Sequence, residues 1–139
     1  MTQVAAAIIQ KDGKLLICQR GEGGNCAFLW EFPGGKLEEG ESPQECAVRE
    51  CMEELNLSVR ITGVFGYSRY RYPDREIAFT FLNAEYISGE LMQNVHNAIR
   101  WVTPSELKEY PFCPADREII ERLSSPFSFG TKKRGQKKT

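Results

Sequence analysis

Glu50, Glu53 and Glu54 stand at i, i+3 and i+4, a spacing that puts three carboxylates on one face of a helix. Like charges one turn apart destabilise an isolated helix by roughly a few tenths of a kcal/mol per pair. A solvated acidic face normally interleaves lysines, yet the only base between Ser42 and Leu55 is Arg49. A cation would offset the repulsion, and clustered carboxylates are hard oxygen ligands suited to Mg²⁺ or Mn²⁺. Taken alone, the helix could still be an ordinary exposed acidic face. The residues before it favour the metal: Gly34-Gly35 ends a strand and allows close approach of backbone to a ligand, so a carbonyl there could complete a site. A six-residue loop, 36–41, then leads into the helix.

That helix has clear limits. Ser42 can cap it, Pro43 takes its first position, and Glu45 completes a capping box. The pattern runs to about Leu55, with Asn56 where a left-handed closing residue is expected. Ala47, Val48, Cys51 and Leu55 fall opposite the acids and are expected to pack on a sheet. Strands surround the helix. Residues 4–9 are an apolar run that reads as a buried strand. Asp12-Gly13 centres a hairpin turn, and 15–20 read as the returning strand. Residues 21–25 form a loop with three glycines, and 28–32 a short strand that Pro33-Gly34-Gly35 breaks. Residues 57–72 read as one long strand or two, 76–87 as another after the Tyr72–Arg75 turn, and 99–102 as a short one. Thr103-Pro104-Ser105-Glu106 opens a short helix, and 114–123 form the last. The order implies an α+β fold with helices on the faces of a mixed sheet.

Gly35, five residues, Glu41, seven residues, then Arg49-Glu50-Cys51-Met52-Glu53-Glu54-Leu55-Asn56-Leu57 resembles the signature of the Nudix hydrolases. Asn56 replaces the last glycine of that pattern, and Cys51 fills an aliphatic position. Both departures are mild, because asparagine suits a helix exit and cysteine packs as a small hydrophobe. Six glycine or charged positions at fixed offsets over 23 residues make the match specific. The resemblance implies a mixed sheet sandwiched between helices. It implies that Glu50, Glu53 and Glu54 bind divalent cations, Mg²⁺ or Mn²⁺, with help from the Gly35 carbonyl. Glu50 or Glu53 would act as, or through, the base that deprotonates water. Glu41 and Arg49 would support them, Arg49 by orienting a carboxylate. The implied chemistry is attack of water at phosphorus, with no covalent enzyme intermediate.

Outside that signature, from about residue 4 to 123, the chain is similar to the MutT-like branch, which cleaves nucleoside triphosphates to the monophosphate and pyrophosphate. In that branch the position of Arg20 contacts phosphate, that of Phe32 packs near the base, that of Arg75 lies at the nucleotide, and that of Asp116 reads the base edge. Phe32 could equally be core and Arg75 a turn residue. An aspartate at 116 accepts hydrogen bonds, which leans toward a cytosine nucleotide and still admits oxidised guanine. Members of the branch carry a further glutamate where this chain has Val95. His96, the single histidine, is the neighbour that could partly replace it.

The bulk properties fit one domain. The chain has 139 residues, 41% hydrophobic and 27% charged, and no apolar run of the length a membrane span requires. Its first ten residues lack the pattern of a secretory signal, so a cytoplasmic home is expected. Five cysteines, Cys18, Cys26, Cys46, Cys51 and Cys113, form no Cys-x-x-Cys pair and read as structural free thiols. Residues 1–125 are expected to form the domain, and 126–139 a basic, disordered tail. Lys132, Lys133, Arg134, Lys137 and Lys138 lie there without an acid, while the whole chain carries −1. Such a tail could attract nucleic acid, although its basic stretch, 131–139, is short and has no aromatic residue to stack on bases. The expected partner is a nucleotide, with no membrane, in a monomer or homodimer. Two alternatives remain: removal of pyrophosphate from RNA 5′ ends, and a catalytically silent nucleotide-binding module. The second should have lost carboxylates from the helix, and this chain keeps all three.

Overall fold

The computed structural model describes residues 1–125. Strand β1 (Thr2–Lys11) lies between two apolar layers. Ala5, Ala7 and Ile9 point into one, Ala6 and Ile8 into the other. A strand buried on both faces reads as a continuous apolar run, which explains Ala-Ala-Ala-Ile-Ile at 5–9. The chain turns through Asp12-Gly13, both at positive φ, into β2 (Lys14–Gln19). β3 (Trp30–Glu31) pairs antiparallel with β2, and β4 (Gly34–Lys36) antiparallel with β1. Helix α1 (Pro43–Leu55) follows. β5 (Ser58–Tyr72) and β6 (Arg75–Ser88) form a long hairpin, and β6 runs parallel to β1. β7 (Ala98–Val102) returns to β2. A 3-10 helix (Pro104–Glu109), a 3-10 turn (Pro114–Asp116) and α2 (Arg117–Ser124) complete the described chain.

The mixed sheet has the order β3-β2-β1-β6-β5, with β4 beside β1 and β7 beside β2. β1 and β2 share two residue pairs, Gln10 with Leu15 and Lys11 with Lys14. Past that seam they part: β1 continues with β4, β2 with β3 and β7. Cys46, Ala47, Cys51 and Leu55 of α1 pack on one face with Leu57, Val59, Leu82 and Ala84. Ile119, Ile120 and Leu123 of α2 cover the other with Phe32, Phe81 and Phe112. Helices therefore flank a mixed sheet, the expected α+β arrangement. Within the described residues no helix is long and apolar enough to cross a membrane.

Several local expectations need correction. Val48 does not pack on the sheet: it is 40% exposed. Cys46 faces the sheet instead, beside the expected Ala47, Cys51 and Leu55. The strand expected at 28–32 shrinks to two residues, because Phe28 takes a left-handed φ of 62° and Leu29 turns back to the Cys26 carbonyl at 3.1 Å. Gly34-Gly35 does not only end a strand; with Lys36 it starts β4. Residues 57–72 yield one strand from Ser58, with register shifts around Gly63 and Gly66 where bulges bend it. The helix expected over 114–123 begins as a 3-10 turn. Residues 126–139, with the expected basic tail, lie outside the described residues.

Candidate active site

Two glycines bring β4 against its neighbours. A Cβ at Gly34 would strike the backbone of β1, 2.7 Å from the Ala6 Cα. A Cβ at Gly35 would collide with the Glu50 carboxylate. The strand can thus lie flat on β1 and still leave room for the acid beside it. α1 is fixed from both ends. Ser42 accepts from the Glu45 N–H at 3.1 Å while the Glu45 carboxylate accepts from the Ser42 N–H at 2.9 Å. Asn56 closes the helix at φ 61°, ψ 31°, its N–H directed at the Cys51 and Met52 carbonyls.

Arg49 organises the acids. Its Nε and Nη2 donate to both oxygens of Glu41, at 2.7 and 2.9 Å. Nη1 donates to Glu50 Oε2 at 3.0 Å and to Glu53 Oε1 at 3.1 Å, and Nη2 also reaches the Lys36 carbonyl at 3.2 Å. The planar fork suits this task because it can grip several carboxylates in fixed directions. Hydrogen bonding from Arg49, then from the Glu38 N–H, pulls the Glu41 carboxyl down to about 2. Glu53 is drawn outward by the same guanidinium, its side chain 58% exposed.

Glu54 has a different setting. Burial first, then its hydrogen bond with Glu50 and the charges of Glu50, Glu31 and Glu53, push its carboxyl up to about 8. Its Oε1 is buried without a hydrogen-bond partner. His96, 7% exposed, places Nε2 3.3 Å from Glu31 Oε2 and 3.8 Å from Glu54 Oε1. Val95 is 62% exposed. Within the described residues no three His, Cys, Asp or Glu side chains close around an ion by themselves. The donor set still fits a small divalent cation. Mg²⁺ keeps several waters and takes one or two carboxylates plus substrate phosphate oxygens. Glu50, the unpartnered oxygen of Glu54 and the Gly35 carbonyl, which also accepts from the Cys46 thiol at 3.3 Å, would supply the protein's share.

A cleft of about 480 Å³ opens where β1 and β2 part. Gly35, Lys36, Glu54 and His96 lie along it, as do Arg20, Phe32, Arg75 and Asp116. The lining thus includes all four expected substrate contacts and two of the expected metal ligands, Gly35 and Glu54, while Glu50, Glu53 and Arg49 lie outside it. Arg20 donates to Glu31 Oε1 at 3.2 Å, and Arg75 is exposed with no ion-pair partner within the described residues. Phe32 is 2% exposed, tilted on Phe112 at 5.9 Å and edge-on to Phe81 at 6.4 Å, so it is core that also borders the cleft. Asp116 is 4% exposed; burial, then the Glu31 carboxylate, raise its carboxyl well above the usual range against the pull of Arg20. Glu31 lines the same cleft, and its charge acts on both Glu54 and Asp116.

A NUDIX domain matches residues 1–123. The chain belongs to the Nudix family. Within that family it is 36% identical to the CTP pyrophosphohydrolase of Escherichia coli (strain K12) over 121 residues, 87% of this chain and 90% of that protein. It is 32% identical to the 8-oxo-dGTP diphosphatase of the same organism over 122 residues, 87% and 95% of the two chains. Of the solved structures, the E. coli ORF135 protein superposes with a TM-score of 0.77 at 35% identity, covering 87% and 86%. The MutT protein from Methanosarcina mazei Go1 gives a TM-score of 0.79 at 21% identity, covering 88% and 91%, a likeness of fold. The chain is thus a hydrolase acting on acid anhydrides, and Nudix hydrolases typically need a divalent metal.

One residue of this Nudix site escaped the sequence reading. Glu31 meets Arg20, His96 and the field of Glu54 and Asp116, yet it drew no role. The available signal was a lone acid between two buried aromatics, Trp30 and Phe32. An acid enclosed that way needs partners on a polar interior surface.

Proposed function

We propose that this chain cleaves nucleoside triphosphates to the monophosphate and pyrophosphate, with Mg²⁺ or Mn²⁺ held by Glu50, Glu54 and the Gly35 carbonyl. The cleft carries the reading: it has a crowded carboxylate end at Glu54 and a buried, protonatable Asp116 at the other, with Arg20 beside them. The bound cation would neutralise the polyphosphate and lower the pKa of an attacking water. Glu50 is the favoured base: Arg49 donates to both acids, but the Glu50 side chain is 14% exposed and lies against Gly35, whereas that of Glu53 is 58% exposed. Arg49 holds Glu50 in place, Arg20 grips phosphate oxygens, and Arg75 meets the nucleotide at the rim. His96 positions Glu31 and Glu54 where related proteins carry a further carboxylate. Residues 1–125 make up the functional unit.

A neutral Asp116 does more than accept hydrogen bonds. Its hydroxyl can donate to N3 of cytosine while its carbonyl accepts from the N4 amino group, so two of the three polar atoms of that edge are satisfied. The 36% identity with a protein named CTP pyrophosphohydrolase supports the same preference. The test is pyrophosphate release from CTP, 5-methyl-dCTP and 8-oxo-dGTP at equal concentration, with and without Mg²⁺. Metal-dependent turnover is expected, fastest on a cytosine nucleotide, with Asp116→Asn shifting the order. Undiminished turnover in Glu50→Gln and Glu54→Gln would remove the catalytic assignment.

A further inference from the structure

Cys46 packs on the sheet beside Ala47 and Cys51, fully buried, where packing asks only for a small apolar side chain. Its sulfur nevertheless has polar company. Sγ lies 3.3 Å from the Gly35 carbonyl oxygen, 3.5 Å from that of Lys36 and 3.8 Å from Arg49 Nη2. Helix spacing explains the meeting. Cys46, Arg49 and Glu50 stand at i, i+3 and i+4 of α1, so thiol, guanidinium and carboxylate share the face that meets the end of β4.

Chemistry fixes which way the hydrogens point. A guanidinium only donates, so towards Arg49 the sulfur accepts. The one hydrogen of the thiol is then left for a carbonyl. Lys36 already accepts from Arg49 Nη2 at 3.2 Å, and the Gly35 oxygen is the nearer of the two to the sulfur. The result is a short relay, from Arg49 to sulfur and from thiol to Gly35. Glycine gives its peptide more freedom than any other residue, and a Cβ at Gly35 would strike the Glu50 carboxylate. Restraint on the Gly35 carbonyl therefore comes from its neighbours: β1, with which β4 pairs, and this thiol.

Resting on the assignment of the Gly35 carbonyl to the cation, we infer that Cys46 is a positioning residue of the metal site, its thiol holding that carbonyl in the direction a bound Mg²⁺ or Mn²⁺ needs. Mg²⁺ demands near-ideal octahedral geometry, so a ligand free to swing costs affinity. A thiol is a weak donor, and it steers the oxygen without withdrawing it from an ion. Cys46 does not line the cleft, so it acts through Gly35 and not on the nucleotide.

The test is a titration with Mn²⁺, followed by electron paramagnetic resonance without nucleotide, on the parent protein, Cys46→Ala and Cys46→Ser. The two variants remove similar volume from the core, and only serine keeps a donor. Their Tm values should fall alike, whereas their metal affinities should part. Cys46→Ala should bind Mn²⁺ about tenfold more weakly, the lower end of what losing a partner behind a metal ligand costs, and Cys46→Ser should recover most of that loss. The Mg²⁺ concentration for half-maximal pyrophosphate release should follow the same order. Unchanged affinity in Cys46→Ala, or equal losses in both variants, overturns the inference and leaves the metal assignment standing. No Mn²⁺ binding by the parent protein overturns that assignment as well.

Discussion

At the scale of the residue, the helix acids divide by environment rather than by type. Glu41 and Glu53 are tied to Arg49, while Glu54 is buried against other carboxylates and held up to about 8. A carboxyl harder to ionise when folded than when unfolded binds its proton more tightly in the native state. Its contribution to stability is therefore lost as pH rises from about 4.5 through about 8. Glu54→Gln cannot ionise, so in metal-free buffer it should raise Tm by several degrees at pH 9 and leave it nearly unchanged at pH 4. Mg²⁺ should close the gap at pH 9 by stabilising the parent protein. Thermal scans at the two pH values check this, and a pH-independent difference would contradict it. Arg49→Lys keeps the charge and loses the fork. It should lower kcat by roughly ten- to a hundredfold with little change in nucleotide KM, because Glu50 is released while the cleft is untouched. Steady-state kinetics at saturating Mg²⁺ separate the two parameters.

At the scale of the element, much was legible because the signals were local. The capping box at Ser42 and Glu45, the αL closure at Asn56 and the hairpin at Asp12-Gly13 all appear where their sequence patterns put them. What stayed hidden depends on other strands. Nothing local shows that Gly34-Gly35-Lys36 pairs with Val4–Ala6 of β1, nor that Glu31 opposes Cys18 and thereby enters the cleft. The four expected substrate contacts were placed by resemblance, and their convergence is a property of the sheet. The orientation of Glu53 depended on which carboxylates Arg49 selects, which spacing alone leaves open. Two variants probe these elements. Gly35→Ala should fold yet lose about a hundredfold in kcat/KM, since its methyl group displaces Glu50 and an ångström of misplacement costs about that much. Ser42→Ala should cost about 1 kcal/mol of stability, read from chemical denaturation, through loss of one cap.

At the scale of the whole molecule, the five cysteines are free and buried on both sides of the sheet. Burial raises the thiols of Cys18, Cys46, Cys51 and Cys113, so they behave as packing residues. A thiol-reactive dye should label almost none in the native protein and all five after denaturation, and a reductant should leave Tm unaltered. Rapid labelling of the native state would contradict this. The sheet itself has a wider implication. Gly35, Glu50 and Glu54 belong to β4 and α1, whereas Arg20 and Phe32 follow β2 and β3. β1, on which β4 lies, and β2 share only two residue pairs. Recognition can therefore drift while the reaction stays fixed: residues flanking β2 and β3 can be exchanged for those of a relative with another base preference, and the hydrolytic half inherits the new substrate without being rebuilt.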